Sequence, residues 1–590
     1  MSCDKLVFDL SQEIEGSPNV FVKKDFLNIL DNQNQNYNSN QSVIDTSQLS
    51  NSNKYMSYRE AYLAMPLLLT VASANATASI VAADFAPGAA ATSADFAVGL
   101  KSWFGQMIHS FTLDYNGTTI IQQTPYINMW NSFKLLTSMS MADVITQGSS
   151  IGFYPDDPLS WSYQSTASVN GMGVCNNTNI ITSGQVNAVQ GAFNKYKSGA
   201  GNIGFLTRQL YCNYDPDGVP ISGNYLDILT SQQSTNLWKS FISKKQNATN
   251  GVLQGIFQIS ILATVHLKHI HSFFQMCPLL KGVFMKMTMN LNNTSTSFSR
   301  SATTNLLSVV SVANAVGGVN PLMIASTFTG NGGVSAFGGT LGTVTAFTGN
   351  ISVGAVVLDQ SLAALTGIGV GALAKSIYLY VPAYTFNPVF EQSYLSSPIK
   401  QIKYTDVYQY QVTSIAKNGQ FNNLLTNGIA NIKSVLLLPF YSPSSATFTT
   451  NTGLPNGMPV YQSPFDPAGT GCTSPLALLT NFNVVVSGQN AIYNTQRYNF
   501  EQFNNQLYGV NAVNGGMTDG LTSALINSLG FEMEYCYYYV DVSRMLPVEE
   551  AVPKSIQIIG TNSTEKALDL WCFVEYGVEV SIDILTGARV

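Results

Sequence analysis

Four groups of residues in this chain have the types and spacing that chemistry needs. Gly148-Ser149-Ser150-Ile151-Gly152 matches the G-x-S-x-G pattern of a nucleophile elbow. An elbow requires a helix directly after the serine, which lifts the hydroxyl above a sheet. Pro155 and Pro158 follow too closely for a helix to start there, so the segment reads as a Gly/Ser turn. Gly367-Ile368-Gly369-Val370-Gly371 resembles a dinucleotide-binding loop. Such a loop follows a strand and opens a helix. Here the order is reversed, because the segment leads into a strand pattern at Ser376 to Val381.

The third group is His266, His269 and His271, three of only four histidines, with Cys277 nearby. A metal site needs three or four ligands that converge. On a strand, His269 and His271 share one face and His266 points away. The cluster therefore reads as structural, and no metal ligand is assigned. The fourth group comprises the acidic turns Asp156-Asp157 and Asp215-Pro216-Asp217-Gly218. Asp and Gly favour turns for backbone reasons, and calcium would need several more oxygens from elsewhere. No carboxylate pair is placed for glycoside hydrolysis. No catalytic residue, cofactor or metal is expected.

The elements that must position these residues are mostly strands. His109 to Tyr115 alternates, with Phe111, Leu113 and Tyr115 on one face; Asn116-Gly117 and Thr118 to Gln122 follow. That is a hairpin signal, because both turn positions need positive φ. Val283, Met285, Met287, Met289 and Leu291 share one face of another strand, and Phe531 to Val540 predicts a third, rich in tyrosine. Leu570, Cys572, Val574, Tyr576, Val578, Val580 and Ile582 fall at period two, as a half-buried strand requires. Helical patterns are few and short: 185–196, 231–245 and 521–529. Strands separated by long polar loops are a sandwich or jelly-roll signature.

The chain has 590 residues, of which only 10% are charged, while 45% are hydrophobic and 11% aromatic. About 25% charge is ordinary for a soluble domain. Disordered chains are charge-rich and aromatic-poor, so this chain is expected to fold. A net charge of -6 argues against bulk attraction to nucleic acid. Seven dispersed cysteines form no CxxC motif and read as reduced. The N-terminal residues show no signal peptide. Leu63 to Ala83 is the most apolar stretch but too polar in its second half to span a bilayer; a buried strand at 61–71 is predicted instead.

Residues 1–54 hold seven acidic and four basic residues and a run of Asn, Gln and Ser, which predicts a flexible arm or linker. Residues 292–371 are rich in Gly, Ala, Ser, Thr and Val, with Asp359 the one charge after Arg300. That break predicts a first β domain over 55–298 and a second over 299–590.

An ordered set of motifs resembles the double jelly-roll major capsid proteins of virophages and polinton-like DNA viruses. It runs through Ile108 to Asn116, Ile121 to Pro125, Trp130 to Lys134, Leu267 to Phe274 and Ile377 to Tyr384 with Asn387-Pro388. It continues through Leu438 to Ser442, Ser463 to Asp466, Val540 to Arg544 and Thr586-Gly587. The resemblance implies an all-β fold of two tandem eight-stranded jelly rolls with long loops and a few short helices. It implies a non-enzymatic capsid subunit, assembled inside the host cell, whose homotrimers of pseudo-hexagonal outline tile an icosahedral virion shell. Its partners would be neighbouring copies, with penton and minor capsid proteins. Neither sequence-specific nucleic-acid binding nor a transmembrane segment is expected. The alternative is a β-sandwich attachment protein of fibre or adhesin type. On the capsid reading, deleting residues 1–50 leaves a soluble trimer and impairs shell formation.

Overall fold

The computed structural model describes residues 20–75, 96–156, 242–246, 253–300, 307–326, 346–357, 372–442, 477–513, 525–543 and 552–590, apart from a few positions within them, together with Gly204 and Arg208. Eight strands build the first jelly roll: β1 (Phe21–Leu30), β2 (Gln41–Asp45), β3 (Tyr62–Ser73), β4 (Ile108–Tyr115), β5 (Thr118–Ile121), β6 (Leu253–His266), β7 (Met285–Leu291) and β11 (Tyr378–Phe386). Lettered B to I in chain order, they pair as B–I–D–G in one sheet and C–H–E–F in the other. Between β7 and β11 lie β8 (Thr294–Arg300), β9 (Leu307–Asn314) and β10 (Ala346–Val353). These extend the first sheet through the pairing of β10 with the far end of β3.

The second jelly roll is β12 (Ile399–Ile415), β13 (Gln420–Ile429), β14 (Ile432–Tyr441), β15 (Leu479–Val486), β16 (Gln489–Asn490), β17 (Tyr538–Asp541), β18 (Lys554–Asn562) and β19 (Leu568–Asp583). Its two sheets run β12–β19–β14–β17 and β13–β18–β15–β16, again B–I–D–G and C–H–E–F. The same order twice in one chain is a tandem double jelly roll, in which paired sheets enclose each core.

Several strands follow directly from side-chain alternation. Met285, Met287, Met289 and Leu291 are all buried, and every second residue between them faces outward. The β4–β5 turn carries Asn116 at φ 45° and Gly117 at φ 81°, the positive angles its sequence demands. Tyr62–Ser73 is the buried strand predicted from its hydropathy.

Other expectations are corrected. Residues 1–54 are not wholly an arm: β1 and β2 are strands B and C, with Ile29 and Ile44 in the core. β1 reads as polar because it is an edge strand whose Lys23, Lys24 and Asn28 face outward. The boundary predicted at 298/299 falls inside β8, which pairs with β9 and β10. The change of jelly roll occurs at α4 (Pro388–Leu395) instead. The low-charge stretch is a connection within the first roll.

Phe531 to Val540 is not one strand, since a helix spans Ser528–Met533 and β17 begins at Tyr538. Of the predicted 231–245 helix, the described residues 242–245 belong to the strand Ile242–Gln246, which pairs with β6. The 185–196 helix and the Gly367–Gly371 loop lie outside the described residues.

Deleting residues 1–50 removes an edge strand from each sheet, together with Tyr37, whose hydroxyl accepts from the Ile377 N–H. The outcome expected from the structure is therefore an unfolded or insoluble product, whereas a chain starting at residue 20 keeps both sheets whole. Circular dichroism melts of the two truncations check this. A 1–50 deletion that melts like the full chain would contradict the strand assignment.

Candidate functional site at the joint between the two jelly rolls

The chain segment after β5 decides how the two rolls meet. Tyr126 takes a left-handed conformation and opens α1 (Ile127–Ser138). Ile127, Met129, Trp130, Phe133, Leu135 and Leu136 surround this helix, so it is apolar on all sides and must be buried. One side turns toward its own roll. There Asn128 Nδ2 donates to Gln106 Oε1 at 2.5 Å, and Gln106 Nε2 donates to Ser132 Oγ at 2.9 Å.

The other side meets the outer face of the second roll's B–I–D–G sheet. The Tyr126 and Trp571 rings lie 4.0 Å apart, and Trp130 stands 6.1 Å from Phe573. Phe133 sits 5.0 Å from Tyr537 and 5.4 Å from Tyr539. Aromatic pairs at these spacings contribute about 0.5–1.5 kcal/mol each beyond area burial. This covering explains why Trp571, Phe573 and Glu575 are buried although they alternate with the core residues Leu570, Cys572 and Val574. β19 is covered on both faces there, not half-buried as its periodicity predicts.

A second contact joins α3 (Ser272–Met276) and the β5–α1 segment to β12. Ser272 Oγ donates to the Thr405 carbonyl at 2.6 Å, and the Thr405 N–H donates back to that hydroxyl at 2.9 Å. Thr124 Oγ1 donates to the Val407 carbonyl at 2.7 Å, and Tyr404 donates to the Ile120 carbonyl at 2.5 Å. His271 Nδ1 accepts from the Phe273 N–H, which leaves Nε2 facing Asp406 Oδ1 at 3.4 Å. At the α4 crossover, Tyr394 donates to the Leu279 carbonyl and Tyr55 donates to Glu391.

One charged pair lies at the joint, with Glu575 buried and Lys134 partly exposed. Lys134 Nζ lies 3.3 Å from Glu575 Oε1, and Ser434 Oγ donates to Glu575 Oε2 at 2.7 Å. Burial pushes the Glu575 pKa up, but Lys134, Ser434 and Thr405 together hold it below the ordinary 4.5. A carboxyl held below its unfolded value stabilises the fold fully above that value and loses the contribution as pH falls through the folded one. The melting temperature is expected to drop more steeply below pH 4.5 in the wild type than in Glu575→Gln. Equal slopes in a pH series of thermal melts would show that the pair contributes nothing.

The residues singled out in the sequence scatter around this joint. The three histidines do not converge: His271 faces Asp406, while His266 and His269 have ring centroids 6.1 Å apart. His269 packs edge-on against Trp103, and burial, with Lys268 and His266 adding to it, pushes its pKa down to about 3. Among the described residues no three His, Cys, Asp or Glu side chains are placed to share a metal ion. Asp156 is bound to buried Arg208 at 2.8 Å; Asp157 and the Asp215–Gly218 turn lie outside the described residues.

The Gly148–Gly152 motif is the end of a helix rather than a free turn. α2 (Met141–Ile151) starts with a Ser140–Asp143 capping box and stops at Gly152, φ 65°. Ser149 and Ser150 sit in the last turn of that helix and no helix follows them directly, so the elbow geometry is absent. Cys277 and Cys572 are buried thiols whose pKa values burial raises. No helix among the described residues is long and apolar enough to cross a membrane.

Two jelly rolls in tandem, locked through a buried aromatic helix, define a double jelly-roll protein. No family model matches the chain, and no curated protein matches it in sequence. Solved structures align with it over nearly its whole length. The mavirus major capsid protein is 10% identical, with 98% of this chain and 92% of that one covered, at a TM-score of 0.38. The Faustovirus major capsid protein is 9% identical, covering 98% and 94%, at 0.40. PBCV-1 VP54, fitted into a reconstruction of the virophage Sputnik, is 8% identical, covering 98% and 99%, at 0.38.

Proposed function

We propose that this protein is the major capsid protein of a DNA virus, a non-enzymatic subunit that self-assembles into an icosahedral shell. The observation that carries the reading is the tandem B–I–D–G and C–H–E–F order, with the second roll's sheet docked on the first roll's helix. That joint sets two similar β bodies side by side, which suits a building block used many times over. On this reading the two domains are residues 20–386 and 399–590, three copies form a capsomer of pseudo-hexagonal outline, and the assembled capsomers lie in the virion. Penton and minor capsid proteins would complete the shell, which is built inside the host cell, and a virophage or polinton-like virus would be its source.

The scarcity of charge supports the same reading. Only 60 of 590 residues are Asp, Glu, Lys or Arg, from 33 acidic and 27 basic. Like charges repeated on every copy repel across each interface, and an unpaired buried charge is costly. Asn, Gln, Ser and Thr hydrogen-bond to neighbours and water instead. Self-association is therefore expected to depend weakly on salt. Solution mass and electron microscopy of the purified protein test the proposal: capsomers or shells support it, and monomers that bind glycans would favour an attachment protein.

A further inference from the structure

We propose that the joint between the two rolls of a chain loosens when His109 takes up a proton, because Tyr126, which anchors the second roll, is also the cover over that histidine. The device belongs to the single chain and does not depend on shells forming. Three rings cross the joint in a row. His109, on β4, meets Tyr126 edge-on at 4.8 Å, and Tyr126 lies 4.0 Å from Trp571 of the second roll. His109 is 7% exposed, and its Nδ1 has no hydrogen-bond partner among the described residues. Gly318 closes over that nitrogen, where a Cβ would lie 2.8 Å from it. The Tyr126 hydroxyl donates to the Gly317 carbonyl at 2.9 Å. Tyr126 and the Gly317-Gly318 segment therefore form one cover, held shut by that bond.

A neutral imidazole tolerates this place. An imidazolium does not, because a buried charge needs a charged partner or water. Asn292, which faces the same nitrogen across Gly318, is neutral, and burial alone pushes the His109 pKa down to about 4. Water reaches Nδ1 when the cover lifts, and lifting it takes Tyr126 off Trp571. In the opened joint His109 regains its ordinary 6.5. The open state then binds a proton that the docked state refuses, so acid favours opening as pH falls from 6.5 toward 4. The other titratable groups at the joint act differently. Protonating His271 beside Asp406 would complete an ion pair across the joint and hold it shut. Glu575, beside Lys134, is held below 4.5, so its contribution persists down to that pH. His266 and His269 lie against Tyr62 and Trp103, both in the first roll.

The test follows protease cleavage of the full chain in the α4 crossover, at 387–398, from pH 7.5 to 4.5. Each rate is divided by that of an unfolded peptide of the same sequence. With brief protease exposure and fast reclosing, the ratio tracks the open population. The wild type is expected to be cleaved about 70-fold faster at pH 4.5, the factor that pKa values of 6.5 and about 4 give. His109→Phe and His109→Gln should each lose most of that acceleration, and His269→Phe should keep it. A wild-type ratio that stays flat, or falls as it would if His271 governed the joint, overturns the inference without any variant. Equal acceleration in the His109 variants overturns it as well.

Discussion

Arg208→Met is expected to destabilise the first jelly roll by about 3–5 kcal/mol, the cost of breaking a buried ion pair on one side. Both partners are sealed from water, with Arg208 side-chain exposure at 1% and Asp156 at 3%. The guanidinium does more than neutralise the carboxylate. Its Nε donates to the Leu100 carbonyl at 3.3 Å and its Nη1 to the Tyr154 carbonyl. One side chain thus ties the strand before Trp103 to the end of α2. Arg208→Met leaves the carboxylate without its cation and removes the donors to those carbonyls. Arg208→Lys should recover only part of the loss, because an ammonium cannot reproduce the guanidinium's fixed fork. Arg208→Met with Asp156→Asn should be more stable than Arg208→Met alone, since no buried charge remains. Urea unfolding of the three variants checks the order, and a single mutant that unfolds at the wild-type midpoint would contradict it.

The second large effect is expected at the joint. Phe133→Ala should cost about 3–5 kcal/mol, as truncations of fully buried aromatics do. Phe133 is packed among Trp130, Tyr537 and Tyr539, so the cavity would open between the two rolls. The loss should therefore show in more than global stability. Cleavage by a protease in the α4 crossover, at 387–398, is expected to become faster, because the contacts that hold that segment depend on the rolls staying docked. Lower stability with unchanged cleavage would mean that α1 supports only its own roll.

What the sequence revealed and concealed follows from how many faces each element buries. β7 and the β4–β5 hairpin bury one face each and were legible from period two and Asn116-Gly117. β19 was legible as a strand, but Trp571, Phe573 and Glu575 on its second face signalled docking that periodicity cannot express. α1 was missed as a helix for the same reason. Its apolar residues lie all round and alternate with Asn128, Asn131, Ser132 and Lys134, so no stripe marks it. β1 and β2 were hidden in a polar leader because edge strands need few core side chains, of which Ile29 and Ile44 are two. The domain boundary was misplaced because a composition break marks a long connection as readily as a domain end. The pairing of Asp156 with Arg208, 52 residues away in sequence, has no local signature at all. The three histidines were read as strand residues, whereas His269 lies on a helical turn.

The shell-subunit proposal meets its most direct test in the mass of the purified full-length protein in solution, measured over a concentration series and followed by electron microscopy of the same sample. The account predicts a stable three-chain species of pseudo-hexagonal outline that proceeds to closed shells and changes little with added salt. A protein that remains a single chain at every concentration, or a trimer that falls apart at high salt, would contradict it.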